Sequence, residues 1–171
     1  MAGLILRRFE PADASQALEA EAEFATGPDV FLPGFDEASD FSSWLGKVDH
    51  VRAGCHERVG WLRAEYLAAW VGDELVGRIS VRFEGDPGLL EQVGHIGYVV
   101  RVHHRGRGYA TEMLRHATVV AREGGLGVLV VGCAEDNAAS ATVIERCGGV
   151  LSSRFLHQGR PFRRYQIPAQ S

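Results

Sequence analysis

Residues 99–121, VVRVHHRGRGYATEMLRHATVVA, carry an apolar strand end into a basic, glycine-bearing turn and then into a long amphipathic segment. The run Leu126–Cys133 that follows is almost continuously apolar, the pattern of a strand buried on both faces. A strand, a helix and a second buried strand in that order require a parallel pair joined by a right-handed crossover. This unit, spanning 92–133, commits the chain to a mixed α/β architecture in which the basic turn sits where the first strand meets its helix.

The remaining elements arrange themselves around it. Leu4–Phe9 alternates loosely before Pro11 and predicts a strand, and Asp13 caps a predicted helix through Phe24. Thr26–Phe35, with two prolines and two glycines, predicts an irregular loop. Phe41, Trp44, Leu45 and Val48 lie at helical spacing within a second helix, Asp36–Val51, and Arg52–Arg63 has no clear pattern. Glu65–Val71 and Leu75–Phe83 flank a short Gly-Asp-Glu turn and predict a hairpin. Glu84–Leu90 reads as a turn, and Gln92–Val102 as a strand holding two glycines, a mark of a bulge or of close approach by a ligand. Helices follow over Gly108–Glu123 and Asn137–Cys147, and strands over Val150–Leu156 and Phe162–Ile167. The expected order is β-α-α-β-β-β-α-β-α-β-β, one domain over residues 1–171 without repeats or an interior linker.

Composition narrows the function classes. A net charge of −4 argues against nucleic acid as a partner, so the basic run His103–Arg107 needs a local reason. The three cysteines, Cys55, Cys133 and Cys147, form no CxxC pair, which predicts reduced thiols in a cytoplasm rather than a disulfide frame or a metal site. No apolar run approaches the roughly 20 residues that span a bilayer, and MAGLILRRFEP is not a signal peptide.

The turn has a physical use. The first amides of a helix lack internal partners and carry partial positive charge. Glycines let that backbone approach an anion, and Arg105 and Arg107 add charge, so a phosphate or pyrophosphate site is expected. The spacing is neither that of a P-loop nor a full GxGxxG.

Arg105-Gly106-Arg107-Gly108-Tyr109-Ala110 fits the pattern R/Q-x-x-G-x-G/A, and Asn137-x-x-Ser140 opens the next helix. With the element order, these motifs make nearly the whole chain resemble the GNAT superfamily of acyl-CoA-dependent N-acyltransferases. The resemblance implies that backbone amides of Arg105, Gly106, Arg107, Gly108, Tyr109 and Ala110, with Thr111 beside them, bind the CoA pyrophosphate. It implies that the strand end Tyr98, Val99, Val100 and Val102 pairs with pantetheine, and that the Val100 N–H polarises the thioester carbonyl. Asn137 and Ser140 would face the cofactor, with acetyl-CoA as co-substrate and no metal. The acceptor would be a small-molecule or protein amine that attacks directly, with no nucleic acid or membrane partner, and a homodimer is compatible with the family.

Many members carry a tyrosine acid seven residues after the asparagine; here that position is Ile144. Glu91 and His95 are then the candidates for general base, and Tyr98, Ser140, Cys133 or Tyr165 for proton donor. Each has a plainer reading: His95 as a locally satisfied strand residue, the cysteines as small buried hydrophobes, Tyr109 as a rim residue. Arg154, Arg160, Arg163 and Arg164 are either a solvated face or a site for an acidic substrate or the CoA 3′-phosphate. The acceptor surface is expected over Phe24–Trp61 and the 157–164 turn. A non-catalytic acyl-CoA sensor is the alternative function, favoured by Ile144.

Overall fold

The computed structural model describes residues 3–54, 63–83 and 87–168. The elements in chain order are β1 (Leu4–Arg8), α1 (Ala14–Phe24), α2 (Phe41–Arg52), β2 (Ala64–Val71), β3 (Glu74–Arg82), α3 (Pro87–Val93), β4 (Ile96–Val100), α4 (Tyr109–Glu123), β5 (Val128–Ala134), α5 (Ala138–Arg146), β6 (Val150–His157) and β7 (Arg160–Pro168). Short 3₁₀ turns cover Pro11–Asp13 and Val102–His104. The strands form a seven-stranded sheet in the order β1-β2-β3-β4-β5-β7-β6. Among these strands β4 and β5 are parallel and every other neighbouring pair is antiparallel, as the crossover required.

Each face of the sheet carries its own core. On one face Met113, Leu114, Ala117 and Ala121 of α4 and Ile144 of α5 pack on Val76, Ile79, Val81, Ile96, Leu129 and Val131. On the other, α1 and α2 bury Phe24, Phe41 and Trp44 with Phe9, Phe31, Trp70 and Leu75. Trp44 is the anchor of that second layer. Its ring meets Phe9 edge-on at 5.2 Å and stacks on Phe41 at 5.5 Å, and its Nε1–H donates to Pro33 O at 3.0 Å. Burial of a ring with its polar atom satisfied fixes both α2 and the loop before it.

The expected order needs one added helix. Residues 87–93 are α3, where the sequence predicted a turn ending at Leu90 and a strand beginning at Gln92. Pro87 takes the first helical position, and Gly94, at φ 71°, accepts the left-handed conformation that stops the helix, its N–H on Leu90 O at 2.8 Å. Pro87 thus opens a helix rather than lying in a turn, and Gly94 ends that helix rather than lying within a strand. The strand is correspondingly shorter, ending at Val100, and Val102 falls in the 3₁₀ turn. Helix α2 starts at Phe41 rather than Asp36, because Asp40 caps it by accepting the Ser43 N–H at 2.7 Å. Most of the unpatterned stretch Arg52–Arg63, with Trp61, lies outside the described residues.

Gly77 of β3 lets α4 sit close to the sheet. A Cβ there would stand 2.7 Å from Val99 O and 3.1 Å from the Met113 side chain. Gly77→Ala is expected to destabilise the fold by about 1–3 kcal/mol, the cost of overpacking a filled core, measured by denaturant unfolding; an unchanged midpoint would show that β4 and Met113 can give way freely.

Candidate active site

The split between β4 and β5 makes the site. Strand β4 pairs with β3 from Ile96 to Val100, but with β5 it shares a single registered pair, Ile96↔Val131. The Arg82 N–H on His95 O (2.7 Å) and the Arg101 N–H on Val76 O (2.9 Å) mark the bonded positions of the β3–β4 ladder. By the alternation of an antiparallel ladder, Tyr98 and Val100 therefore turn their main-chain groups away from β3, into the gap. Arg105 Nε donates to Val100 O at 3.1 Å, which leaves the Val100 N–H facing the opening. An extended chain laid in this gap would be received as an added strand.

The basic turn closes one end of the gap. Gly106 and Gly108 take φ 76° and 85°, and no heavy atom lies within 4 Å of where their Cβ atoms would be, apart from chain neighbours. Gly108 is the N-cap of α4 and supplies no side-chain cap, so the first amides of this 15-residue helix are open to an anion. Arg107 is exposed. Arg105 is partly committed elsewhere, its guanidinium 5.8 Å from the centre of the Phe24 ring as well as on Val100 O. Thr111 is buried in the first turn, while Tyr109 and Ala110 are half-buried against the core of the α4 face. His103 is exposed, and burial lowers the pKa of His104.

Asn137 and Ser140 open α5 as expected, but the asparagine side chain has a local task. Its Oδ1 accepts the Ser140 N–H at 3.0 Å and caps the helix. The Ser140 hydroxyl lies 2.6 Å from the Tyr98 hydroxyl, across the mouth of the gap. Burial pushes the Tyr98 phenol up to about 12. Ile144, one turn further along α5, is fully buried in the core.

The two candidate bases differ in freedom. His95 Nδ1 accepts the Val130 N–H at 2.8 Å, so the neutral ring carries its proton on Nε2 and serves as an acceptor tying β5. Burial, and then the Arg82 charge, holds its pKa below the ordinary value. Glu91 sits on α3 with an exposed side chain, not on the strand. Its carbonyl accepts from Arg164, whose guanidinium also lies 4.5 Å over the Phe155 ring. Of the other proton-donor candidates, burial raises the Cys133 thiol, and the Tyr165 hydroxyl donates to Glu145 Oε1 at 3.1 Å. The C-terminal arginines are largely paired: Arg154 and Arg163 with Glu135, Arg160 with Asp136. Among the described residues no group of three or more His, Cys, Asp or Glu side chains is placed to hold a metal.

Three charged residues not singled out from the sequence fasten α1 and the loop after it. Arg78, fully buried and pushed down to about 10 by desolvation, donates to Phe31 O at 2.8 Å, to Val30 O and to Gly97 O. Glu21 accepts the Leu32 N–H at 2.6 Å, so the loop after α1 is held by its main chain on both sides. Arg101 donates to Glu23 of α1 through Nε at 2.9 Å and to Leu75 O, tying the end of β4 to that helix. An arginine at position 78 inside an otherwise apolar strand was the legible signal.

His95 also sets a pH dependence. Its folded pKa lies below the unfolded value of about 6.5, so the unfolded chain binds the proton first as pH falls. Its contribution is complete above pH 6.5 and declines below it. His95→Ala is expected to lower stability at pH 8 by about 1–3 kcal/mol, through the orphaned Val130 N–H, and to reduce the acid sensitivity of Tm between pH 6.5 and 5. Identical pH profiles for the two proteins would contradict the assignment.

Comparison with known proteins agrees with this geometry. A family model described as acetyltransferase (GNAT) domain matches residues 3–150. No curated protein matches. Solved structures do. The yncA protein of Salmonella typhimurium, determined with its cofactor acetyl-CoA, is 18% identical, with 98% of this chain and 94% of that one covered and a TM-score of 0.67. A spermidine N-acetyltransferase chimera of Vibrio cholerae SpeG and hSSAT is 16% identical over 97% and 96% of the two chains, with a TM-score of 0.66. An acetyl transferase of Salmonella typhimurium that modifies the N-terminal serine of a ribosomal subunit protein is 18% identical over 96% and 94%, with a TM-score of 0.68. A strand split open beside a glycine-bearing helix N-terminus, and a family match over most of its length, place the chain in the GNAT family of acyl-CoA-dependent N-acetyltransferases.

Proposed function

We propose that the protein transfers an acetyl group from acetyl-CoA to a primary amine by direct attack. The observation that carries this reading is the gap between β4 and β5, with the Val100 N–H turned into it and the open amides of α4 at its end. Amides of residues 106–110 would hold the pyrophosphate, with Arg105 and Thr111 beside them, whose own N–H groups donate to Val102 O at 3.3 Å and Gly108 O at 3.0 Å. Tyr98, Val99, Val100 and Val102 would border the pantetheine arm, whose amides would pair with the main chain of β4. Asn137 would act by shaping the N-terminus of α5, and Ser140 by its hydroxyl.

The chemistry follows from charge. As the amine nitrogen bonds to the carbonyl carbon, negative charge grows on the thioester oxygen. A main-chain donor already aimed there stabilises the transition state more than the ground state. The attacking nitrogen must be neutral, so an ammonium proton has to leave. Glu91 is the freer base of the two candidates, its side chain exposed on α3, and it would act on the amine through water, whereas the His95 Nδ1 is occupied. His95, its Nδ1 occupied, would present Nε2–H as a donor. Acceptors named for the structural neighbours, spermidine and an N-terminal serine, define the amine panel to try first.

The test is thiol release from acetyl-CoA across polyamines, amino acids and short peptides. Amine-dependent release is expected. Stabilisation by CoA with no release from any amine would overturn the catalytic reading in favour of a sensor. Gly108→Val forces φ 85° on a branched residue. It is expected to raise KM for acetyl-CoA by roughly tenfold or more by displacing the anion-binding amides, with a smaller change in kcat. Glu91→Gln is expected to cost about a hundredfold in kcat at neutral pH, and a variant with unimpaired kcat would remove Glu91 from the mechanism.

A further inference from the structure

With isoleucine buried at position 144, helix α5 offers no phenol of its own to the gap. One reaches it from the opposite wall. Tyr98 belongs to β4, its main chain borders the gap, and its side chain crosses to α5, where its hydroxyl meets Ser140 Oγ at 2.6 Å. Ser140 and Ile144 are four residues apart and so share one face of α5. The hydroxyl therefore arrives one turn closer to the helix N-terminus than the position the isoleucine fills.

We propose that Tyr98 is the catalytic proton donor to the departing sulfur, with Ser140 as the residue that positions it. This rests on the acetyl-transfer reading. Two hydroxyls share one hydrogen bond, which uses one of their two protons. When Ser140 donates to the phenol oxygen, the phenol O–H is left to donate into the gap. The thioester carbonyl, held by the Val100 N–H two residues along the same strand, places the sulfur within the stretch that this O–H overlooks. The groups around the phenol do not compete for its role. Cys133 of β5 and Cys147 after α5 both have thiols raised by burial and are neutral.

The step balances. The amine nitrogen forms a bond to the carbonyl carbon, the carbon–sulfur bond breaks, and its electron pair goes to sulfur. The phenol proton moves to sulfur, giving the free thiol of CoA. The phenolate so formed lies at the N-terminus of α5, where the Ser140 hydroxyl donates to it and the helix dipole favours negative charge. It regains a proton from water, to which the nitrogen proton has passed by way of the base. No redox partner is required.

The experiment compares Tyr98→Phe and Ser140→Ala with the unaltered protein, in turnover and in binding of CoA and desulfo-CoA. Tyr98→Phe is expected to lower kcat by about a hundredfold with KM for acetyl-CoA nearly unchanged, and Ser140→Ala to lower it less. In the unaltered protein CoA is expected to bind several-fold more tightly than desulfo-CoA, and Tyr98→Phe to erase that difference. A Tyr98→Phe protein with undiminished kcat, or with the CoA preference intact, overturns the proposal. The binding arm needs no acceptor. Loss of the sulfur preference in a protein that acetylates nothing would keep the Tyr98–sulfur contact and remove the acetyl-transfer reading. Turnover unaffected by Tyr98→Phe would do the reverse. Because Phe keeps the ring, and Ser140→Ala leaves the Asn137 cap on its main-chain N–H, both variants retain the packing around the gap.

Discussion

An interior strand whose hydrogen-bonding edge runs out of partner is the constraint on which this molecule turns. After Ile96, β4 keeps β3 on one side and loses β5 on the other, so main-chain groups of Tyr98 and Val100 are left in a sheet interior without a strand to receive them. Unpaired backbone in such a place is costly unless something completes it. Much of the surrounding structure holds the split to a fixed shape. The Val130 N–H is taken by a histidine ring rather than by the next strand residue, and Arg82 and Arg164 reach over to the carbonyls of Gly94 and Glu91 at the end of α3. Beyond it, Arg101 clamps the strand end to α1. The gap is thus a built opening whose walls are tied on both sides.

The walls have different electrostatic characters. The α4 and α5 side offers helix N-termini, suited to phosphate and to a developing anion. The α1 side buries Arg78 against three carbonyls, and its pKa falls because desolvation outweighs the raising effects of Tyr66, Glu21 and Asp29. Arginines elsewhere, such as Arg7 with Asp13 and Arg101 with Glu23, are raised by a carboxylate in direct contact. The contrast marks Arg78 as a guanidinium used for its fan of donors rather than for an ion pair.

Local patterns carried most of the fold and the glycine-bearing turn before α4. Glycines at 106 and 108, the apolar run 126–133 and the asparagine at 137 each act within a few residues of themselves, so a linear reading reaches them. What escaped depends on tertiary partners. Helix α3 is hidden because Pro87 reads as a turn residue and Gly94 as a glycine within a strand, when they mark the two ends of a helix. Nothing in the sequence announces that a main-chain amide 35 residues away will occupy the His95 Nδ1. Asn137 also caps the helix it opens through its carbonyl oxygen, a contact only three residues away. The tie between Arg78 and Val30–Phe31 joins residues 47 and 48 apart, beyond any local rule.

The loop between α1 and α2 is fastened by Glu21 and Arg78 through the amide of Leu32 and the carbonyls of Val30 and Phe31. Such ties are indifferent to which side chain a position carries. Residues 27–29 and 36–38, exposed on either side of the fastening, are free to vary without loosening it. The loop therefore behaves as an interchangeable cassette on a fixed mount: its exposed side chains can be rewritten residue by residue while the ties of its main chain to α1 and β3 hold its path. A fastening of this kind makes the loop a place where new side-chain chemistry can be grafted at little cost to the fold.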